Sequence, residues 1–171
     1  MTLKALGSVP LYLESQSEVR DHLDEVLAEG HRLRPYADLA FQVVWDAATD
    51  RAYAPPPDNM LSIGVNFSTG YGGIIWYCDG NLSRRVSAEL GHDVAYYPWV
   101  SLNPNPPQVD PRVMSDLSCP TFFDRVSAVP LSLIRATVEE YFSAGTGFRP
   151  AKVKWAKGHY TGELYAEADE G

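Results

Sequence analysis

The chain has 171 residues, enough for one domain with its own hydrophobic core and thin for two. Its composition, with 45% hydrophobic and 21% charged residues, is that of a globular protein. No run approaches the ~18 apolar residues that a membrane span needs. The formal net charge of −8 argues against nucleic acid as a partner, because phosphate binding needs a basic surface.

The negative charge is concentrated at the two ends of the chain. Residues 1–30 contain six carboxylates against two basic residues, and residues 158–171 contain four carboxylates and no basic residue. We expect a single domain over residues 1–171, with residues 158–171 as an acidic C-terminal tail. The surplus of carboxylates suits a basic protein partner, and it also suits solubility alone.

Two further features bear on location. The N-terminal residues 1–4 lack the apolar core of a signal peptide. The two cysteines, Cys78 and Cys119, have neither the spacing of metal ligands nor a disulfide pattern. We therefore predict a protein of the reducing cytoplasm.

The N-terminal segment predicts short strands followed by a helix. Residues 3–13 fit one strand or a pair of strands, interrupted by glycine and proline. Ser15 and Glu18 fit a capping box, and apolar residues at helical spacing follow until Gly30, which is expected to end the helix. We interpret the acidic stripe of this helix as a solvated face, with partner docking as the alternative.

Two apolar segments predict neighbouring strands. Asp38–Trp45 is rich in aromatic and β-branched residues, and Met60–Phe67 alternates apolar side chains toward one face. Residues 46–59 are expected to connect them without a central strand, because they contain three consecutive prolines.

The same pattern continues past a turn. Tyr71–Cys78 is predicted as a returning strand, and Asp79-Gly80 is typical of a hairpin turn that leads to a further strand at Leu82–Ala88. Four or five strands with a helix at each end predict an α+β fold. In it, a single antiparallel β-sheet is packed on one side by an N-terminal and a C-terminal helix.

A long proline- and aromatic-rich insertion, Leu90–Cys119, shows no sustained periodicity. Insertions of this kind are usually functional or disordered, and a high aromatic content argues against disorder. We predict that it forms the partner-binding surface, and the alternative is that its rings fold inward as a small core. The candidate partner-binding residues are three aromatic anchors and three carboxylates: Tyr96, Tyr97, Trp99, Asp93, Asp110 and Asp116.

The sequence contains no complete set of catalytic or metal-binding residues. The glycine-rich residues 70–73 lack the lysine of a phosphate loop and precede a strand, so we interpret them as hairpin glycines. No histidine or cysteine spacing predicts zinc, and the zinc-deaminase signature does not occur. We predict no catalytic residue, no metal and no cofactor. The alternative, a small-molecule enzyme, would use His92, Asp93 and Cys119.

The clearest periodicity lies in Val126–Trp155. Pro130 suits a first helical turn and Ser127 a cap, apolar residues follow at three- and four-residue steps, and Gly145 suits the end of the helix. Ala151–Trp155 then alternates as a strand. Four side chains are expected in one core with the strands at 38–45 and 60–67: Leu131, Ile134, Val138 and Trp155.

That stretch, together with Met60–Phe67 and Gly70–Asp79, resembles the Imm1 family of immunity proteins from bacterial polymorphic-toxin systems. The shared pattern is Val-Pro-Leu, a helix ending in Tyr-Phe, then Gly, Arg-Pro, Val and Trp. The resemblance implies an inhibitor that binds the toxin domain of a neighbouring polymorphic toxin and blocks its active site.

The resemblance also implies what the inhibitor would bind. The toxin would be a nucleic-acid deaminase ahead of a nuclease, and the free inhibitor is expected to be a monomer that binds neither nucleic acid nor membrane. The alternatives are a small cytoplasmic enzyme and a scaffold that binds through its acidic first helix.

Overall fold

The computed structural model describes residues 1–33, 35–53 and 58–165, with the side chains of residues 29–33 left aside. The strands are β1 (Thr2–Leu6), β2 (Leu11–Leu13), β3 (Tyr36–Val44), β4 (Asn59–Asn66), β5 (Tyr71–Cys78), β6 (Trp99–Leu102), β7 (Met114–Asp116), β8 (Thr121–Phe122), β9 (Val129–Pro130) and β10 (Lys154–Lys157). The helices are α1 (Gln16–Leu33), α2 (Ala47–Tyr53), α3 (Gly80–Leu90), α4 (His92–Tyr96) and α5 (Leu131–Ala144), with a 3-10 turn at Arg125–Ser127.

The main sheet is antiparallel throughout, and its strands run in the order β10-β6-β5-β4-β3-β1-β2. β9 pairs with the start of β5, which gives eight strands in the described ranges, and β7 and β8 form a separate hairpin. The predicted α+β class is confirmed. The expected strand number was too low, because β6 and β9 are too short to show an alternating pattern.

One face of the sheet carries the main core. Helices α1 and α5 pack together on it, as predicted from their apolar faces. Ile134 and Val138 of α5 are fully buried against alternate residues of β4 and β5, while Leu131 and Trp155 are half-buried at the margin of the same core. The predicted placement of this helix is therefore confirmed.

The opposite face is covered as well, which corrects the expectation of a sheet covered on one side. Gly64 lies under the β7–β8 hairpin, and a Cβ added to Gly73 would stand 2.5 Å from Cγ of Phe123. These glycines let Phe123 pack directly on the sheet, where it joins a smaller core with Ile75 and Val100. The sequence shows the glycines but not the distant ring that fills the space above them.

The segment after β5 is a helix, and the prediction of a strand at Leu82–Ala88 is wrong. Oδ1 of Asp79 accepts a hydrogen bond from N–H of Gly80 at 2.6 Å and caps α3, whereas a hairpin turn was expected there. Leu82 and Val86 are buried while Arg84 between them is exposed, which fits a helix and not a strand. Asp-Gly serves a helix start as well as a hairpin, since aspartate is also a favoured N-cap.

The first helix begins as predicted and ends later. Oε2 of Glu18 accepts from N–H of Ser15 at 3.0 Å, and Oγ of Ser15 accepts from N–H of Glu18 at 3.2 Å, so the capping box is formed. α1 continues through Gly30 to Leu33. A glycine inside a helix costs only about 1 kcal/mol, which packing of the apolar face offsets.

The connection at residues 46–59 contains an unexpected element. Asp46 accepts from N–H of Ala48 at 3.1 Å and of Thr49 at 3.2 Å, and it starts the short helix α2. The prolines at positions 55–57 lie outside the described residues.

The C-terminal helix ends as predicted and starts differently. Pro130 takes the N-cap position of α5, and Ser127 belongs to the preceding 3-10 turn, where its buried hydroxyl has no hydrogen-bond partner among the described residues. Gly145 ends α5 with φ = 61°, a conformation that favours glycine. β10 begins at Lys154, and the backbone N–H of Ala151 donates instead to the carboxylate of Glu140 at 3.0 Å.

Candidate partner-binding surface

Helix α4 presents an exposed tyrosine from a fixed base. Gly91, with φ = 101°, turns the chain between α3 and α4. Ala95 is buried, and its carbonyl oxygen accepts from Sγ of Cys78 at 3.8 Å, so α4 is held against the end of β5. On this base Tyr96 is 68% exposed, and its ring stacks on His92 with 5.6 Å between centroids.

Residues 158–165 fold back onto the domain. The N–H of His159 donates to the carbonyl of Glu163 at 2.8 Å, and the N–H of Leu164 donates to Oδ2 of Asp124 at 2.8 Å. Tyr160, at the tip of this loop, is 65% exposed, and its ring meets Tyr77 edge-on at 4.9 Å. The loop therefore adds a second exposed tyrosine. Residues 166–171 of the expected acidic tail lie outside the described residues.

Seven rings lie here in two groups, and we name them together the aromatic surface. Tyr77 contacts Tyr160, and the other five rings form a second group of successive contacts. Neighbouring centroids in it are 4.3 to 5.7 Å apart, within the range of favourable aromatic pairs. Its members are Tyr77, His92, Tyr96, Tyr97, His159, Tyr160 and Tyr165.

A cleft of about 610 Å³ opens at this surface, between α3, α4 and the end of β5. Tyr96 and Tyr160 both line it, together with Asp79 and the exposed Arg84. The cleft joins the two exposed tyrosines into one concave site.

Besides Tyr96, the predicted residue Tyr97 belongs to this surface, and the predicted Asp93 lies next to it. Tyr97 is half-buried, and Nζ of Lys157 lies 4.3 Å from the centroid of its ring. The same Nζ is 3.0 Å from Oδ2 of Asp93, whose side chain is exposed. The lysine thus contacts both Asp93 and Tyr97.

Trp99 is positioned differently from the other predicted anchors. It lies on β6 inside the sheet, is half-buried against the main core, and its indole N–H donates to the carbonyl of Val94 at 3.0 Å. The guanidinium of Arg149 stands 3.9 Å from its ring. For this residue the structure favours the inward-folding alternative.

The expectation that Leu90–Cys119 is irregular is thus corrected. The segment contains α4, β6 and β7, and its longest stretch without helix or strand is residues 103–113.

The remaining predicted carboxylates cap turns elsewhere. Oδ1 of Asp110 accepts from N–H of Arg112 at 2.8 Å, in a loop tied to Asn66 at the far end of β4. The length of the neighbouring strand β5 separates this end from α4 by about 20 Å. Asp116 accepts from the hydroxyl and N–H of Ser118, and these hydrogen bonds lower its pKa.

The aromatic residues of the 158–165 loop were missed by the sequence reasoning. Residues 158–171 were judged by their carboxylates alone. The available signal was His159, Tyr160 and Tyr165, since three rings within eight residues are unusual for a solvated tail.

Comparison with known protein families decides what kind of protein carries this surface. Residues 7–157 match the family described as Immunity protein Imm1. The chain belongs to the Imm1 family. No curated protein and no solved structure gives a significant match. The role of an Imm1 protein is immunity, which implies binding to a cognate toxin. The loop 158–165 lies beyond the matched residues.

The three residues of the enzyme alternative, His92, Asp93 and Cys119, do not form one site in this Imm1 protein. Cys119 lies exposed in the turn between β7 and β8, on the sheet face opposite α4, so it is not brought to His92 and Asp93. Burial raises the pKa of the Cys78 thiol to about 11, and the nearby Asp79 and Asp58 contribute, so Cys78 is a poor nucleophile.

Residues 1–33, 35–53 and 58–165 contain no group of three or more His, Cys, Asp or Glu side chains placed to hold a metal ion. In the same ranges, none of the helices combines the length and apolar character that a membrane crossing requires.

Proposed function

We propose that the chain binds the toxin domain of a polymorphic toxin through the aromatic surface and covers the active site of that domain. The toxin in this proposal is a nucleic-acid deaminase, with a nuclease as the second candidate, and the inhibitor acts as a monomer in the cytoplasm. Membership of the Imm1 family supports the role, and the geometry below supports the surface.

One observation carries the choice of surface. Tyr96 and Tyr160 are each about two-thirds exposed, yet both are held by neighbouring rings at the rim of one cleft. Exposed rings that cluster in this way are a solubility liability without a partner. Tyrosine is enriched at binding hot spots, because a ring gives a large contact area at a low cost in conformational entropy.

Charge supports the proposed class of toxin. An enzyme that acts on nucleic acid needs a basic cleft for the phosphates. An inhibitor with a net charge of −8 complements such a cleft, and complementary charge mainly raises the association rate.

The acidic stripe of α1 is a weaker candidate for docking. Asp24 pairs with Arg135 of α5, and Nε of Arg20 lies 3.5 Å from Oε2 of Glu139 on the same helix. These two pairs hold α1 against α5, and within the stripe Oε2 of Glu18 accepts from N–H of Glu14 and of Ser15. Asp21 and Glu25 of the stripe are exposed, as expected of a solvated face.

The test uses the toxin domain encoded by the adjacent reading frame, purified as an inactive variant. Tyr96→Ala is compared with wild type by calorimetric titration. We expect a loss of affinity of about 30-fold, which corresponds to about 2 kcal/mol at a hot spot. Tyr53→Ala is the matched control, because Tyr53 is 81% exposed on α2, outside the aromatic surface, and its removal should leave affinity unchanged.

Association rates test the electrostatic part of the proposal. We expect the rate constant from stopped-flow mixing to fall as salt rises, since screening weakens steering between opposite charges. A flat salt dependence would contradict charge steering. Equal affinities for wild type and Tyr96→Ala would contradict the choice of surface, and no binding by wild type would contradict the function.

A further inference from the structure

The cleft between α3 and α4 has the build of a small binding site. Its base is formed by Cys78 and Ala95, which are buried, and its rim by the two exposed rings of Tyr96 and Tyr160. Asp79 stands at the same rim, where the chain leaves β5. Two buried residues, two exposed tyrosines and an aspartate thus line one cleft of about 610 Å³.

The carboxylate of Asp79 is fixed in place. Its Oδ1 accepts from N–H of Gly80 at 2.6 Å, and its own N–H donates to the carbonyl of Asp58 at 2.8 Å. Burial raises the pKa of the Tyr160 hydroxyl. The negative charge of Asp79 raises this pKa further, because it disfavours a second negative charge nearby. The phenol therefore stays neutral beside a fixed negative charge.

These groups define the chemistry of the occupant. The faces of aromatic rings attract cations, and a nearby carboxylate supplies the counter-charge. We propose that the cleft holds an arginine or lysine side chain of the bound toxin, with Tyr96 and Tyr160 against its cationic head and Asp79 as its counter-ion. This proposal rests on the proposed function, since it names the group that the toxin places in the cleft.

Arg84 makes it possible to distinguish a cationic from an anionic occupant of the cleft. It lines the same cleft from the solvent side of α3, and its positive charge opposes the entry of a cation. Removal of Arg84 should therefore tighten binding of a cationic side chain, and removal of Asp79 should weaken it. An anionic occupant reverses both signs.

The experiment measures the affinity of the toxin domain encoded by the adjacent reading frame for four variants. Asp79→Asn keeps a favoured N-cap residue and removes the charge. Tyr160→Leu removes the ring, and its control Tyr160→Phe keeps it. Arg84→Gln removes the opposing charge. Thermal unfolding of each variant shows that the domain is intact.

We expect affinity losses of about 5-fold or more for Asp79→Asn and Tyr160→Leu, and a change of less than about 2-fold for Tyr160→Phe. Arg84→Gln should bind more tightly than wild type. These four results together support the proposal.

Two outcomes overturn it while the proposed function stands. If Arg84→Gln weakens binding and Asp79→Asn strengthens it, the cleft receives an anion. If Asp79→Asn and Tyr160→Leu both bind like wild type, the cleft receives no cation. If wild type itself does not bind this toxin domain, the proposed function fails and the inference falls with it.

Discussion

The hydroxyl of Tyr141 on α5 donates a hydrogen bond to Oδ1 of Asn59 at the start of β4, 2.5 Å away and inside the core. The same oxygen accepts from N–H of Val43 at 2.7 Å, and Nδ2 of Asn59 donates to the carbonyl of Val43 at 3.0 Å. One buried amide therefore joins β3, β4 and α5. It connects the helix to both strands inside the core.

The variant Tyr141→Phe tests this junction. The ring is kept and only the hydroxyl is lost, while Oδ1 of Asn59 keeps its bond from Val43. We expect the free energy of unfolding at pH 7 to fall by about 0.5–1.5 kcal/mol, the usual contribution of one hydrogen bond. Urea denaturation measures it. An unchanged midpoint would show that the bond contributes nothing to stability.

The same tyrosine should make the protein sensitive to alkali. Burial, and then the charge of Asp58, raise the pKa of Tyr141 well above its usual value. An unfolded chain releases this proton near pH 10, whereas the folded protein keeps it, so stability falls as the pH rises above about 10. Urea midpoints at about pH 8 and about pH 10.5 should differ more for wild type than for Tyr141→Phe. Equal differences would contradict the assignment.

A buried ion pair connects α2 to strands β1 and β2 at one edge of the sheet. Nζ of Lys4 and the hydroxyl of Tyr12 both lie 2.6 Å from Oδ2 of Asp50, and the side chains of Lys4 and Asp50 are each 8% exposed. Lys4→Met should cost about 3–5 kcal/mol of stability, because it leaves a buried carboxylate without its cation.

The double variant Lys4→Met, Asp50→Met is the control for the Lys4 prediction. It removes both charges, so we expect it to regain most of the stability lost in the single variant. Chemical denaturation of the four members of the cycle gives the coupling. Additive losses would contradict an interaction between the two residues.

Trp99 and Tyr96 should respond to substitution in opposite ways. Trp99→Ala removes a half-buried ring that packs on the core and on Arg149, and we expect a stability loss of about 2–3 kcal/mol. Tyr96→Ala removes an exposed ring and should change stability by less than about 0.5 kcal/mol. Unfolding and toxin binding are measured on both. A stable Trp99→Ala variant that loses the toxin would return Trp99 to the contact surface.

Regular periods in the sequence were enough to place the main core. Ile134 and Val138 recur at helical spacing, and the alternation in β4 and β5 fixes the face that they meet. Burial of both patterns against each other is the arrangement that removes the most apolar surface from water. These contacts are encoded by local patterns that need no knowledge of distant residues.

Local sequence patterns gave the wrong element where the same residues are compatible with two local structures, and they gave no information on contacts between distant residues. Asp79-Gly80 suits both a hairpin and a helix cap. The helix buries Leu82 and Val86 and exposes Arg84, whereas a strand would place all three side chains on one face. Phe123 fills the space above Gly73 from far along the chain, and no local pattern shows that contact.

Only part of the candidate site was predicted, because the site combines two segments that are distant in the chain. Tyr96 and Asp93 were found from the composition of one segment. Tyr160 reaches them only because residues 158–165 fold back, through the bond from Leu164 to Asp124 and the contact with Tyr77. A surface built from two distant segments can be recognised only when the positions of both are known. The second segment was missed because residues 158–171 were interpreted from their carboxylates alone.

Growth protection tests the central claim most directly. Cells that express the active toxin domain from the adjacent reading frame are given the wild-type chain, the double variant Tyr96→Ala, Tyr160→Ala, or the control Tyr53→Ala, at equal protein levels. The account predicts full growth with wild type and with Tyr53→Ala, and loss of protection with the double variant. Growth arrest with the wild-type chain would contradict the immunity function, and full protection by the double variant would contradict the aromatic surface as the toxin contact.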